Sequence, residues 1–227
     1  METKTKEEPL HIAPPNMQCG ELWIRGTAPL VLHKFSHKAI EMIKAKQQAG
    51  SVAAKGVKKS AKDFKAAFEG ARHLSLEGWD GIPAAAFRCA CISACRLVGF
   101  KMSLAKLSVF VECDGFDATE GTPLIRIIGQ EPRQLESMVR IGGIAKTVDI
   151  AVRPQWLEWG ARLRIKYDAD QFSANDVVNL IARAGAQVGV GEGRPDSSSS
   201  AGMGWGTFEI SDEKTVMALV PKKAKRK

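Results

Sequence analysis

Residues 156–185 read WLEWGARLRIKYDADQFSANDVVNLIARAG, and this stretch decides the fold class. From Trp156 to Tyr167, apolar side chains alternate with polar ones, which is the period-two pattern of a half-buried strand. Ser173, with Asp176 three residues later, makes a capping box, and the apolar residues that follow recur at helical spacing. The stretch therefore predicts a long strand and then a helix that packs on a sheet.

The rest of the chain repeats this alternation of sheet and helix. Strands are expected at 21–25, 107–112, 124–128, around 148–152 and at 207–210, and helices after Ser36 and over 83–98. In the second helix Phe87, Cys91, Ala94, Cys95 and Val98 recur at helical spacing, so its cysteines should line the buried face. The order favours an α+β fold, with helices packed on one face of a mostly antiparallel sheet.

The chain of 227 residues is long enough for one domain with flexible attachments. We expect a flexible arm over 1–19, a single domain over 20–212 with a mobile basic loop at 47–62, and a basic tail over 213–227. The first eight residues lack the apolar segment of a signal peptide, and about 18 apolar residues never run together. We therefore expect a cytoplasmic protein with no membrane partner.

Positive charge is concentrated in particular segments. The net charge is +8, yet residues 34–65 alone carry +7 and residues 222–227 add five more cations. This distribution is typical of a protein that binds a polyanion, although a basic tail by itself also aids solubility. The tail PKKAKRK reads either as a nuclear localisation signal or, as we prefer, as a disordered basic tail. The candidate phosphate contacts in the first segment are Lys34, Lys38, Lys55, Lys58 and Lys59.

A second group of cations lies on the predicted strand. Arg162, Arg164 and Lys166 are two residues apart, so their side chains should project from the same sheet face, opposite the apolar positions. This row is a further candidate for contact with nucleic acid.

The cysteines and histidines give no metal motif. Five cysteines are present, but there is no CxxC pair and no matching histidine spacing, so we expect no metal and no cofactor. Free thiols in a reducing cytoplasm are the simplest interpretation.

Residues 188–206 read VGVGEGRPDSSSSAGMGWG and join the helix to the last strand. Glycine permits positive φ and close approach of a second backbone, and Arg194 adds a guanidinium suited to phosphate. The GKS or GKT that ends a Walker loop is missing, and a dinucleotide loop would follow a strand and open a helix. A mononucleotide site is therefore not expected here, and an ordinary flexible loop remains the alternative.

The helix, the segment GVGEGRP, a gap and then GMGWGTFEI together resemble the carboxyl-terminal glycine-rich motif of the RAMP superfamily, the RNA-binding proteins of CRISPR systems. The segments IRGTAPLVLHKFS and WDGIPAAAFRCACISA are also similar to a group of phage- and prophage-encoded proteins that brings no established activity. The resemblance spans about Leu22 to Ile210 and implies a ferredoxin-like or RRM-like, RAMP-type fold. It places six residues near bound nucleic acid: Gly189, Gly191, Gly193, Arg194, Gly202 and Gly204. The insertion Ser197–Ser200 departs from the compact motif.

The weak candidates for a catalytic role are His33 and His37. They follow the first strand, the region where endoribonucleases of that superfamily carry a general-base histidine, but basic residues beside them explain the same pattern by phosphate contact. We expect a non-catalytic protein that binds single-stranded RNA or DNA, with repeated copies forming an oligomer along it. The alternatives are a metal-independent endoribonuclease and a phage protein that imitates a CRISPR subunit to block host defence.

Overall fold

The computed structural model describes residues 12–34, 41, 44–45, 63–141, 147–197 and 202–221. Within these residues the strands are β1 (Met17–Gly26), β2 (Leu30–Val31), β3 (Gly81–Pro83), β4 (Val109–Glu112), β5 (Gly115–Phe116), β6 (Pro123–Arg126), β7 (Ile128–Gly129), β8 (Arg133–Ile141), β9 (Thr147–Trp156), β10 (Trp159–Asp168) and β11 (Phe208–Ser211). The helices are α1 (Phe64–Gly70), α2 (Ala84–Ala94), α3 (Met102–Ser108), α4 (Ala174–Arg183) and α5 (Glu213–Met217).

The main sheet has the spatial order β11-β1-β10-β4, with β7 also pairing with β10. All of these pairs are antiparallel. The chain runs from β1 through α2 to β4, and later from β10 through α4 to β11. Each helix therefore connects two strands that have a third strand between them. The expected α+β class with antiparallel sheets is confirmed.

Two smaller sheets surround this one. The strands β2, β9 and β8 form one of them, and β3, β6 and β5 form the other. In the first, β8 and β9 pair along nine residues, from Arg133 opposite Gln155 to Ile141 opposite Thr147. Strand β8 was not expected, because its side chains alternate polar and apolar only in part.

The core lies between the main sheet and helices α2 and α4. Phe87 of α2 meets Phe208 of β11 edge to face, with ring centroids 5.8 Å apart. Full burial of a side chain as large as Phe87 contributes roughly 1.5 to 3 kcal/mol. Cys91 and Cys95 are buried as expected, and burial raises the pKa of the Cys91 thiol to about 12. Two expectations for this segment are wrong: Cys89 is exposed, and Val98 follows the helix in a 3-10 turn and is exposed.

The strand expected over Trp156 to Tyr167 is interrupted near its start. Residues 157–158 form a bend, so Trp156 ends β9 and Trp159 begins β10. The two strands do not form a hairpin, because β9 pairs with β2 and β8, whereas β10 pairs with β1, β4 and β7. Leu157, which the alternation placed on the buried face, is 53% exposed at this bend. The bend contains no glycine or proline, so the alternation gives no visible sign of it.

The helices do not all lie on one face of the sheet, as was expected. The capping box of α4 is present, with the Ser173 side chain accepting from Asp176 and the Asp176 side chain accepting from Ser173. Helix α5, however, packs on the opposite face, where a Cβ on Gly160 would be 2.7 Å from Cγ1 of Val216. Because Gly160 is opposite Arg25 in the register, this contact lies on the face away from α2 and α4.

The ends of the domain also differ from the expectation. Strand β1 begins at Met17, inside the expected arm, and residues 213–217 of the expected tail form α5. Of the helix expected after Ser36, only 41 and 44–45 are described, and they are helical. The expected basic loop at 47–62 and residues 222–227 lie outside the described residues.

Candidate functional site

The glycine-rich loop connects α4 to β11 and is held by backbone hydrogen bonds. Glu192 N–H donates to Val31 O at 2.9 Å, and Gly206 N–H donates to Pro29 O at 2.8 Å. Within the loop, Trp205 N–H donates to Gly193 O at 3.1 Å. Six loop glycines have φ between +66° and +77°: Gly189, Gly191, Gly193, Gly202, Gly204 and Gly206. The loop therefore needs glycine conformations, as the sequence suggested.

Most of these glycines are required by the packing of the loop itself. A Cβ on Gly191 would overlap the carbonyl oxygen of Val31, and one on Gly202 would overlap that of Arg194. A Cβ on Gly193 would lie 2.7 Å from the ring of Trp205. Gly204 is different, because a Cβ there would meet nothing within 4 Å. Among the glycines inferred from the RAMP resemblance, Gly204 is therefore the one whose outer side faces open space.

Arg194 is engaged with its own loop. Its Nη1 donates to Gly191 O at 3.0 Å, and the side chain is partly buried. The end of the loop is tied to helix α2 by Asp196, whose carboxylate accepts from Arg96 at 2.7 Å and from the hydroxyl of Ser93. The guanidinium of Arg194 thus stabilises the loop, and part of its donor capacity is already used.

A groove of about 390 Å³ runs beside the loop. Its walls include His33, His73, Arg194 and the first turns of α2. The Nδ1 atom of His33 lies 3.1 Å from Oε1 of Glu192, and Arg153 pairs with the same carboxylate. Burial by itself would raise the pKa of Glu192, but the His33 and Arg153 contacts lower it below its ordinary value. His33 is thus fixed at the mouth of a groove that the loop helps to form.

Behind this groove lies a buried polar cluster. Lys34 Nζ donates to both carboxylate oxygens of Asp117, at 2.6 and 2.8 Å, and to Thr119 Oγ1 at 2.5 Å. His73 Nδ1 lies 3.3 Å from Oδ2 of Asp117. Burial lowers the pKa of His73, and it would raise that of Asp117, but the donors around Asp117 hold its pKa well below the ordinary value. Lys34 was expected on the surface as a phosphate contact; it is instead an internal partner of Asp117.

The row of cations on β10 lies on the sheet face away from α2 and α4. Arg162 and Arg164 are partly exposed and Lys166 is exposed, whereas the residues between them are buried. In the register with β1, Arg162 is opposite Trp23 and Arg164 is opposite Glu21. The expected common direction of the three side chains is therefore present, and an aromatic side chain lies next to them.

Carboxylates on the same face pair with two of these cations. Oδ1 of Asp114 lies 3.5 Å from Arg162 and 3.4 Å from Arg164, and Arg162 is 3.7 Å from Glu21. Arg164 also donates to the carbonyl oxygen of Cys113. A phosphate approaching this row must compete with these carboxylates.

A cavity of about 600 Å³ opens on this face. It is lined by residues from β1, β6, β7 and β10, from the turns before β3 and β5, and from α5 and the residues after it. Its aromatic and charged lining residues include Trp23, Trp79, Asp114, Arg126, Arg162 and Arg164. Two tryptophans and three arginines therefore border one concave surface.

The other predicted site residues cannot be placed. His37, Lys38, Lys55, Lys58 and Lys59 lie outside the described residues. In the part of the chain that is described, no group of three side chains suited to a metal ion is found. Across the same residues, none of the helices has the length and apolar character needed to cross a membrane.

Sequence reasoning missed the aromatic part of the sheet face. Trp23 lies between Leu22 and Ile24 in the strand expected at 21–25, so the alternation puts it on the face opposite them, where a large aromatic residue is a signal of surface contact. Trp79 stands before Asp80-Gly81, a turn pattern that gives no such signal. His73 and Asp117 gave no signal, because 44 residues separate them in the chain.

Comparison with known proteins assigns no function, so a function is inferred from the fold and the geometry of the site. No family model matches the sequence, and no curated protein matches it.

Proposed function

We propose that this protein binds single-stranded nucleic acid, RNA or DNA, without cutting it, and that several copies bind along one strand. The observation that carries the proposal is the face of the main sheet opposite α2 and α4. There Arg162, Arg164 and Lys166 lie beside Trp23. Cations that follow a phosphate backbone, together with aromatic rings on which bases stack, are what single-strand binding requires.

We further propose that the fold is ferredoxin-like. The order β11-β1-β10-β4, with α2 and α4 each connecting two strands across a third, supports it. Sheets of this kind are used in RNA-recognition domains, where aromatic side chains on the open face stack on two or three bases.

The RAMP-type assignment is part of the same proposal, and the loop supports it only in part. The loop follows a helix, enters the last strand and has left-handed glycines, as the resemblance implies. Its glycines are nevertheless explained largely by contacts inside the protein. For this reason the sheet face carries more of the proposal than the loop does.

Titration of labelled single- and double-stranded RNA and DNA by fluorescence anisotropy tests the proposal. We expect binding to both single strands, weaker binding to both duplexes, and an affinity that falls steeply with salt. Each phosphate contact on a single strand contributes a slope of about −0.7 in log K against log salt. Absence of binding to every form at low salt, or an affinity independent of salt, would refute the proposal.

The groove beside the loop favours a metal-independent endoribonuclease as a second candidate. His33, His73 and Arg194 line it together, and an acid, a base and a cation are the groups that such cleavage needs. Purified protein that cuts RNA in EDTA, and that loses this activity on His73→Gln while remaining folded, would establish it. Intact RNA after prolonged incubation would exclude it.

A further inference from the structure

The cavity on the sheet face opposite α2 and α4 has a rigid aromatic wall. The six-membered ring of Trp79 lies against the backbone of two strands: a Cβ on Gly115 would be 2.8 Å from Cζ2, and one on Gly81 would be 3.1 Å from Cζ3. The indole Nε1–H donates to Glu77 Oε2 at 2.9 Å. Glycine at both strand positions thus lets the ring lie close against the two strands, while the hydrogen bond restrains its orientation.

Trp23 provides a second aromatic group in the same cavity. It projects from β1, next to Arg162 of β10, and is only partly buried. Stacking on a ring that is already held in place costs little conformational entropy, because the ring has few conformations left to lose. The cavity is therefore prepared for a flat, aromatic ligand.

The arginines give the cavity a cationic side. Asp114 holds Arg162 and Arg164 together, and Arg126 is exposed at the edge. Among the described residues, Nε of Arg164 is a buried donor that has no hydrogen-bond partner. A buried donor without a partner costs free energy, so the Arg164 guanidinium would gain by turning toward an oxygen of an anionic ligand.

The acidic residues of the cavity are already occupied. Glu77 accepts from Trp79, and Asp114 accepts from the backbone N–H of Arg126 at 3.0 Å and pairs with two arginines. Reading a base edge requires acceptors and donors that are free to pair with it. The cavity therefore offers stacking and positive charge, with little means of distinguishing one base from another.

We propose that this cavity binds one unstacked nucleobase of a single strand, with the phosphate next to it on the arginines. The inference rests on the proposed function and adds to it a defined subsite and weak base preference. A nucleobase joined to a phosphate is the chemistry that fits both sides of the cavity. A free nucleotide has the same chemistry, and the experiment below separates the two sources.

Photocrosslinking of the intact protein tests the proposal without any substitution. A single-stranded RNA containing 5-iodouridine is irradiated with the protein, and the crosslinked residues are identified by mass spectrometry. We expect crosslinks at Trp23 or Trp79. In a parallel arm, the monophosphate of 5-iodouridine replaces the strand. Crosslinks from the strand elsewhere only, or crosslinks in the cavity from the monophosphate only, would overturn the proposal.

Substitutions with matched controls measure the contribution of the cavity. Trp23→Leu should weaken binding of single-stranded RNA by about 5- to 150-fold, the range for loss of one stacked base. Its control is Phe64→Leu on α1, also a partly buried aromatic residue, which does not line the cavity. Arg126→Gln should weaken binding and make the affinity less dependent on salt. Arg183→Gln on α4 should change neither the affinity nor its salt dependence.

The outcomes separate the two proposals. If the unaltered protein binds no strand, the proposed function fails first. If it binds strands while Trp23→Leu and Arg126→Gln match their controls and no crosslink falls in the cavity, the function stands and this inference fails. Affinities for the four homopolymers that differ by more than about 100-fold would contradict weak base preference.

Discussion

The Nζ atom of Lys34 lies 2.6 Å from Oδ1 of Asp117, and the two side chains are 8% and 0% exposed. Removing one partner of a buried ion pair leaves the other charge without compensation, which costs about 3 to 5 kcal/mol. We therefore predict that Lys34→Met lowers the free energy of unfolding by that amount in urea denaturation. The double variant Lys34→Met/Asp117→Asn should lose less than the sum of the two single variants, and an additive result would contradict the pairing.

The same cluster predicts a loss of stability in acid. The pKa of His73 is lowered from 6.5 and that of Asp117 from 3.8, so the unfolded chain binds more protons than the folded one. Stability from His73 is present above pH 6.5 and is lost below it; that from Asp117 is lost as the pH falls below 3.8. Denaturation curves between pH 8 and 3 should show this decline in the free energy of unfolding. His73→Gln should remove the part of the decline that occurs at the higher pH values. Equal stability across the range would refute it.

We predict that removal of a carboxylate on the sheet face strengthens binding. Asp114 competes with phosphate for Arg162 and Arg164, whose side chains are 41% and 37% exposed although that of Asp114 is only 12% exposed. Ion pairs with solvent-exposed partners are worth about 0.2 to 1 kcal/mol. Asp114→Asn keeps an acceptor for the backbone of Arg126 and should raise affinity for single strands by about two- to fivefold. Glu136→Gln, an equal change of charge on β8, is the control. Weaker binding by Asp114→Asn would mean that this carboxylate positions the arginines for the ligand.

Lys166 is the best position at which to test the cationic row. Substitution of Arg164 would also disturb the β4–β5 connection, because Arg164 donates to the carbonyl oxygen of Cys113. Lys166→Glu should weaken binding and reduce the steepness of the salt dependence by about 0.7 for the lost contact. The melting temperature should stay unchanged, since this side chain is exposed. Lys101→Glu, also exposed but beside α3, controls for net charge. Equal affinities of the two variants would remove the row from the interface.

Substitutions of the loop glycines should distinguish effects on folding from effects on binding. Gly191→Val should destabilise the protein by at least about 1 to 3 kcal/mol, because a side chain there meets Val31 O and φ is +77°. Gly204→Ala meets open space and carries only the cost of its left-handed φ, about 1 to 2 kcal/mol. Gly99→Ala has the same open surroundings and a φ of +69°, and it lies away from the cavity, so it is a matched control for strain.

Comparison of these glycine variants shows whether the loop touches the ligand. If nucleic acid approaches the loop backbone, Gly204→Ala should weaken binding more than Gly99→Ala does, at equal thermal stability. Identical affinities of the two variants would place the ligand on the sheet face alone.

The elements that could be predicted are those fixed by neighbours in the chain. The capping box of Ser173 and Asp176 formed because both partners lie in one helical turn. The common face of Arg162, Arg164 and Lys166 followed from the period of a strand. The bend after Trp156 was missed because it contains no glycine or proline, and the position of Lys34 was wrong because charge alone does not reveal a buried partner.

The sequence by itself determined the α+β class, the cationic row and the need for glycine in the loop, since each depends on local dihedral angles and spacing. Only the tertiary structure decided which distant residues meet. It joined Lys34 to Asp117 across 83 positions, and it gathered side chains from Trp23 to Arg164 around one cavity. Such contacts depend on strand order and packing, and many pairings of the same strands satisfy the same local pattern.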